Sequence, residues 1–336
     1  MTAPATPATG DRGQAPLMRA VTITEDHRLE LTEVPKPVPA PGEVLVDVVA
    51  AGVNRADLAQ VAGHYPPPPG ASDLPGLEVS GHRRDTGEPV VALLAGGGYA
   101  EVVAVPEGQL LPVPEGLDLV EAAGVVEVCA TVVSNLVTEA GLQAGETVLI
   151  HGGTGGIGTA AIQIARALGA RVLTTVGSDE AIEVVRGLGA ELAWNRRTTD
   201  LRAAVKEAGG ADVILDVVGG PALADNVAML REHGRLVIIG TLGGATGELP
   251  IGALMGKRAR VIGTTLRSRP TEDKREILER TRELVWPWLA DGTVRIPVRS
   301  PFPLEQAADA HAVLRAGGHL GKVVLRVRPV PGARAA

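Results

Sequence analysis

The sequence predicts an α/β protein, a doubly wound parallel sheet joined to a β-rich second domain, on three observations. Between residues 134 and 264, continuous apolar runs alternate with helical patterns, as in a parallel sheet covered on both faces. One run leads into "GGTGGIG", Gly152 to Gly158, where five of seven residues are glycine. Ahead of residue 134 the runs are short, β-branched and bounded by Pro and Gly.

Bulk properties narrow the class. The 336 residues are enough for two domains with buried cores. A hydrophobic fraction of 45% and a charged fraction of 21% are globular values, and only 2% aromatics leave the core to Val, Leu, Ile and Ala. A net charge of −7 argues against nucleic acid as a partner, and so few aromatics offer little for stacking bases. The single cysteine, Cys129, excludes an internal disulfide and a multi-cysteine zinc site, and fits a cytoplasmic protein. Residues 1–16 and 329–336 read as flexible tails without a leader pattern. No apolar run reaches the roughly 18 residues a membrane span needs.

In chain order, "RAVTIT", "RLELTEVP", "EVLVDVVAAGV", "PVVALLAG" and "AEVVAVP" read as strands. "GHYPPPPGAS" lacks the donors for a helix or central strand and reads as an extended surface loop. "ETVLIHG" is a buried strand, and "GTAAIQIARALGA" a helix with Ile157, Ala161, Ile164, Ala165 and Leu168 on one face. "RVLTTVG", "ADVILDVVGG" and "GRLVIIG" are further apolar strands, and "DEAIEVVRGLGA" another helix. Then come a charged helix, "TEDKREILERTRELVWPWLADG", and two strand-like segments, "VRIPVRSPFP" and "KVVLRV", able to return to the first domain.

The glycines sit between a strand and a helix. Gly153, Gly155 and Gly158 fit G-x-G-x-x-G, while Gly152, Gly155 and Gly158 fit G-x-x-G-x-x-G. One glycine permits the tight turn, the next lets backbone N–H groups approach a diphosphate, and the last lets helix and strand pack closely. Thr154, Gly156 and Ile157 fall inside the same cradle, where free amides and the helix dipole favour negative charge. Inside a strand–turn–helix unit the pattern favours a dinucleotide site over a purely structural turn. The second strand ends in Val176, Gly177 and Ser178, without the carboxylate that binds a ribose 2′-hydroxyl. Ser178 can donate to a 2′-phosphate, and Arg196 and Arg197 can supply cations or stand as solvated surface charges. The balance favours NADPH and leaves NADH open. Gly240 and Thr241 follow a further strand, where its carboxyl end would meet the dinucleotide.

Three stretches carry a resemblance. "PGEVLVDVVAAGVNRADLAQVAGHYPPPPGASDLPGLEVSG", "VALLAGGGYAEVVAVPEGQLLPVPEGL" and "GETVLIHGGTGGIGTAAIQIARALGARV" resemble the zinc-independent quinone oxidoreductases of the medium-chain dehydrogenase/reductase superfamily. "GTTLRSR" and "HLGKVVL" are similar to the same subgroup. The resemblance spans nearly the whole chain between the tails. It implies a GroES-like catalytic domain over 17–133, completed by 265–328, a Rossmann NADPH-binding domain over 134–264, a cleft between them, and a homodimer. In zinc-dependent relatives a cysteine stands where this chain has Asn54, and Gly-His-Glu where it has Gly76, Leu77 and Glu78, so the resemblance implies no metal.

A reductase lacking a metal needs an acceptor that is already electrophilic: a quinone or an activated α,β-unsaturated carbonyl, whose product anion is resonance-stabilised. Its protein must align donor and acceptor in a dry cleft and tolerate oxyanion charge. Water or a tyrosine hydroxyl suffices as the proton source.

By resemblance Asn54, Asp57, Tyr65 and Thr131 border that cleft. Asn54 steers a carbonyl or the nicotinamide, or only forms a turn. Asp57 reads as structural. Tyr65 orients a carbonyl or packs on prolines, Thr131 resembles a nicotinamide contact, and Lys322 is a cofactor contact or a plain strand-end lysine.

Two departures stand out. "GHRRDTGEPVVAL" is shorter than the family pattern, and the "PETFFTVW"-like helix start reads "VEVCATVV", with Cys129 and Ala130 replacing a phenylalanine pair. Cys129 is a cleft thiol or, more in keeping with free cysteines, a buried one. These departures keep two alternatives open: a pathway-specific enoyl reductase or carbonyl-modifying enzyme, and an NADPH-binding protein with little catalysis. "KRARVIGTTLR" is the expected pairing edge of the dimer.

Overall fold

The computed structural model describes residues 16–299 and 301–328. The expected tails lie outside that range, apart from Pro16. The chain opens with an antiparallel hairpin, β1 (Leu17–Ile23) and β2 (Leu29–Pro35). Next come β3 (Glu43–Val53), α1 (Arg55–Val61), β4 (Glu78–Arg83), β5 (Pro89–Leu93), β6 (Val102–Pro106), β7 (Leu110–Pro112), α2 (Leu119–Ala122) and α3 (Val126–Val132). The second half runs β8 (Thr147–His151), α4 (Gly156–Ala167), β9 (Arg171–Val176), α5 (Glu180–Gly187), β10 (Leu192–Asn195), α6 (Leu201–Glu207), β11 (Ala211–Asp216), α7 (Leu223–Met229), β12 (Leu230–Ile238), α8 (Ile251–Lys257) and β13 (Arg260–Gly263). It ends with α9 (Thr271–Ala290), β14 (Phe302–Pro303), α10 (Ala307–Ala316) and β15 (Val323–Arg326).

Strands β8 to β13 form the expected parallel sheet, in the order β10-β9-β8-β11-β12-β13. Its strands read as unbroken apolar runs because both faces are covered. Val148 and Ile150 face one core with Ile162 of α4 and Leu278 of α9, while Leu149 faces another with Val205 of α6 and Val227 of α7. Strand order reverses between β8 and β11, and ligands bind such sheets at that crevice.

The other sheet has the order β14-β15-β3-β4-β5-β7, with β6 also paired to β3. β15 lies antiparallel to β3, Val323 opposite Val53, so the C-terminal segment returns to the first half as expected. Of "VRIPVRSPFP" only Phe302–Pro303 is strand, and Ser300 lies outside the described residues. The short "GHRRDTGEPVVAL" segment closes β4 and β5 into a hairpin turning over residues 84–88. β4 escapes a hydrophobicity reading because two of its buried residues are polar, Glu78 and Ser80. α3 continues directly into a π-helical segment, Val133–Glu139, so one helical run straddles residues 133 and 134.

Candidate active site

The glycine turn is built as its spacing predicts, and each glycine solves a different problem. Gly152 has φ +78°, a left-handed value that makes the turn off β8. A side chain at Gly158 would overlap the Gly152 carbonyl oxygen, so this glycine packs the first turn of α4 against the strand exit. A side chain at Gly153 would come within 2.5 Å of the Thr174 hydroxyl. Gly155 differs from both: a Cβ there would meet nothing nearer than the Gly152 oxygen at 3.6 Å. Its open side is the cradle. The amides of Gly156, Ile157 and Gly158 form the first helical turn and have no intrahelical partner. The Thr154 carbonyl accepts the Gly321 N–H at 2.9 Å, tying the turn to the segment entering β15.

Beyond β9, Gly177 and Arg196 come together: a Cβ on Gly177 would lie 3.2 Å from the guanidinium. Ser178 is half-buried beside them, and Arg196 is exposed with no carboxylate in ion-pair range among the described residues. Asp179 accepts the Asn195 amide at 2.9 Å, which fixes that carboxylate to the end of β10. Arg197 is exposed, and among the described residues only its backbone N–H is engaged, by Asn195. Gly240 and Thr241 sit past the carboxyl end of β12, against the loop after β11. Asp216 stiffens that loop by accepting the Val218 and Gly219 N–H groups at 2.7 and 3.0 Å. His151, unremarked in the sequence, braces the end of β8 through Thr175 and Asn226.

The opposite wall is made of side chains. Asn54, the N-cap of α1, is buried and turns its amide inward. Its Oδ1 accepts the Lys322 ammonium at 2.5 Å, and its Nδ2 donates to Glu78 Oε1 at 3.0 Å. Lys322 closes the triangle with an ion pair to Glu78 at 2.6 Å, where the lysine is 3% and the glutamate 0% exposed. Glu78 Oε2 accepts the Glu127 N–H at 3.0 Å. The Lys322 stem crosses the start of α4, since a Cβ on Gly156 would lie 2.6 Å from its Cδ. Lys322 therefore touches both walls, its stem against the glycine turn and its charge with Asn54 and Glu78.

Asp57 holds this arrangement from beneath. It accepts Asn54 N–H at 2.7 Å, Gly76 N–H at 3.1 Å and the Tyr99 hydroxyl at 3.0 Å. Complete burial pushes its carboxyl up to about 6. Because Tyr99 gives its proton to Asp57, its oxygen accepts from His311 Nε2 at 3.1 Å. That places the imidazole proton on Nε2 and leaves buried Nδ1 without a partner among the described residues. Burial lowers His311 to about 4.

Thr131 and Tyr65 border the same wall. The Thr131 hydroxyl donates to Glu127 Oε1 at 2.9 Å, one helical turn away on α3. Desolvation raises Glu127 to about 7, a shift opposed by Lys322 and reinforced by Glu78. Tyr65 is half-buried in the proline loop, and burial, with a smaller push from Glu127, raises its phenol. Arg267 clamps that loop. It donates to Ala95 O at 2.8 Å, Tyr65 O at 3.0 Å and Gln60 Oε1 at 2.7 Å, with its guanidinium 5.2 Å from the Tyr65 ring centre. Cys129 is a free thiol with no exposed surface, and burial raises it far above its ordinary value.

The structure thus brings together Asn54, Lys322 and Gly156, with Thr131 linked to them through Glu127 and Glu78, while Tyr65 is held by Arg267. Sequence reasoning missed Glu127 and Arg267. The visible signal for Glu127 was a lone carboxylate inside "VVEVCATVV", four residues before a threonine. Among the described residues no group of three His, Cys, Asp or Glu side chains is arranged to hold a metal ion.

Comparison with known proteins follows the same division. Residues 40–115 match the alcohol dehydrogenase GroES-like domain, and residues 156–283 match a family described as zinc-binding dehydrogenase. Quinone oxidoreductase from Mus musculus is 31% identical over 338 residues, covering 95% of this chain and 99% of the mouse protein. The quinone oxidoreductase of Thermus thermophilus, solved alone and with NADPH, superposes with a TM-score of 0.80 at 34% identity, covering 92% of this chain and all of the other. A mycocerosic acid synthase-like polyketide synthase of Mycolicibacterium smegmatis is 30% identical over 89% of this chain, which matches 15% of that much longer protein.

Proposed function

From the premise that the chain belongs to the quinone oxidoreductase subfamily of the medium-chain dehydrogenase/reductase superfamily, as an NADPH-dependent oxidoreductase, we propose that its acceptor is a quinone or an activated α,β-unsaturated carbonyl and that no metal takes part. The observation that carries this reading is the Lys322–Asn54–Glu78 triangle. Leu77 offers no ligand, Asn54 replaces a thiolate, and both oxygens of Glu78 are already engaged by donors, with an ammonium at 2.6 Å.

The cofactor fits the open side of Gly155, with the first-turn amides of α4 on its diphosphate and Gly177, Ser178 and Arg196 around the 2′-phosphate. Bound there, NADPH supplies a hydride. Asn54 and Lys322 orient the acceptor oxygen and favour charge developing on it. Tyr65, held by Arg267, walls the pocket against water. With a likeness to a polyketide synthase, an enoyl thioester is the second candidate acceptor.

A cytoplasmic homodimer completes the reading. Cys129 is a free thiol. β13 pairs only with β12 among the described residues, and α8, leading into it, exposes Ile251 at 62% and Met255 at 71%. Purified protein mixed with NADPH and a panel of benzoquinone, phenanthrenequinone and simple enones should oxidise NADPH steadily. NADPH binding without oxidation across that panel would leave a binding protein instead.

A further inference from the structure

Three carboxylates meet behind the acceptor site, and only one is unencumbered. Glu78 accepts Lys322, Asn54 and the Glu127 N–H, and Asp57 accepts two backbone N–H groups and a phenol. Among the described residues the Glu127 carboxylate accepts the Thr131 hydroxyl alone. It is half-buried, whereas Glu78 and Asp57 have no exposed surface. The Glu127 backbone N–H is tied to Glu78 on the acceptor wall, and Thr131, one helical turn on, is buried at 8% exposure. A hydroxyl so placed accepts from a protonated carboxyl and donates onward in one exchange.

We propose that Glu127 stores the proton that completes the reaction and passes it to the reduced acceptor through the Thr131 hydroxyl. This rests on the reductase reading. The acceptor takes a hydride, two electrons with one hydrogen nucleus, from NADPH, which leaves as NADP+, and the acceptor becomes an oxyanion. The Glu127 O–H bond breaks as its proton moves to Thr131 Oγ1, and the hydroxyl's own proton moves to the oxyanion. Glu127 remains a carboxylate and recovers its proton from water.

The groups facing Glu127 tune this exchange. Lys322 beside β15 favours the carboxylate, while Glu78 on β4 and Asp57 on α1 favour the acid, and Tyr65 approaches from the proline loop. On its own helix Cys129 is the nearby titratable group. Desolvation outweighs Lys322, so the acid persists to about pH 7.

Glu127→Gln tests the proposal. In cofactor-free protein, the infrared band of protonated carboxyls should show a component titrating near pH 7 that vanishes in E127Q, while the Asp57 component near pH 6 remains. With saturating NADPH and benzoquinone, wild-type kcat should fall as pH rises through about 7, while E127Q should be roughly 100-fold slower and flat across that range. T131V should behave like E127Q, and T131S should retain most activity. Circular dichroism establishes that each variant is folded, and T131V carries the test should E127Q fold poorly. Wild-type kcat and pH profile in E127Q or T131V, or a carboxyl band unchanged in E127Q, would overturn the relay alone. Failure of the wild type to oxidise NADPH with any acceptor would overturn the reductase reading and the relay with it.

Discussion

The two walls of the cleft are made in opposite ways. The wall proposed for the cofactor is backbone: one turn from Gly152 to Gly158, shaped by absent side chains and the start of a helix. The wall proposed for the acceptor is side chain, and its parts come from remote places, Asn54 bonding Lys322 across 268 positions. A backbone site tolerates change in its neighbours but not in its own glycines. A side-chain site depends on every member, because each buried charge needs its partner.

The largest contrast lies within the turn itself. Gly155→Val should weaken NADPH binding at least ~100-fold, about 2.7 kcal/mol or more, with little change in Tm, because the added atoms enter empty space. Gly158→Val should lower Tm as well, since its side chain would strike the Gly152 carbonyl. Calorimetric titration and thermal melts of the two variants separate ligand room from packing room.

On the acceptor wall the contrast is one of stability. Lys322→Met leaves Glu78 buried and unpaired and should cost about 3–5 kcal/mol, read by urea unfolding. Adding Glu78→Gln should return a large part of that loss. If K322M melts like the wild type, the side-chain wall is far less interdependent than its geometry indicates.

A smaller effect belongs to Arg196. Arg196→Ala should weaken NADPH roughly 10-fold, about 1.4 kcal/mol, and leave NADH unchanged, since only the 2′-phosphate would meet this guanidinium. Equal losses for both cofactors would remove Arg196 from specificity.

The smallest effect is a pH slope. His311 falls from 6.5 to about 4 on folding, so the unfolded chain binds the extra proton between those values. Stability from this group is present above pH 6.5 and lost as pH falls toward 4. Asp57, raised to about 6, has the opposite sign: the folded state keeps its proton, so its contribution declines as pH rises from about 4 to 6. His311→Asn should therefore flatten the acid limb of Tm against pH and leave the Asp57 slope.

The same contrast explains what was legible in the sequence. The glycine turn is local, its spacing encodes its geometry, and strand, turn and helix fell where expected. Apolar runs identified β8, β9, β11 and β12 because both faces of that sheet are buried. β4 was missed because Glu78 and Ser80 are buried by hydrogen bonding rather than hydrophobicity. Asn54, Thr131 and Lys322 were named singly, through resemblance, but nothing local shows that Lys322 turns its charge toward Asn54 and Glu78. Glu127 is not legible as a proton source, because its placement beside Thr131 depends on helical geometry and on β4 lying behind it.

The most direct measurement is NADPH oxidation with 1,4-benzoquinone by protein dialysed against a strong chelator. Sustained turnover by the wild type, unchanged by added zinc and absent in Gly155→Val, is the predicted result. No oxidation, or activity that disappears with the chelator and returns with zinc, would contradict it.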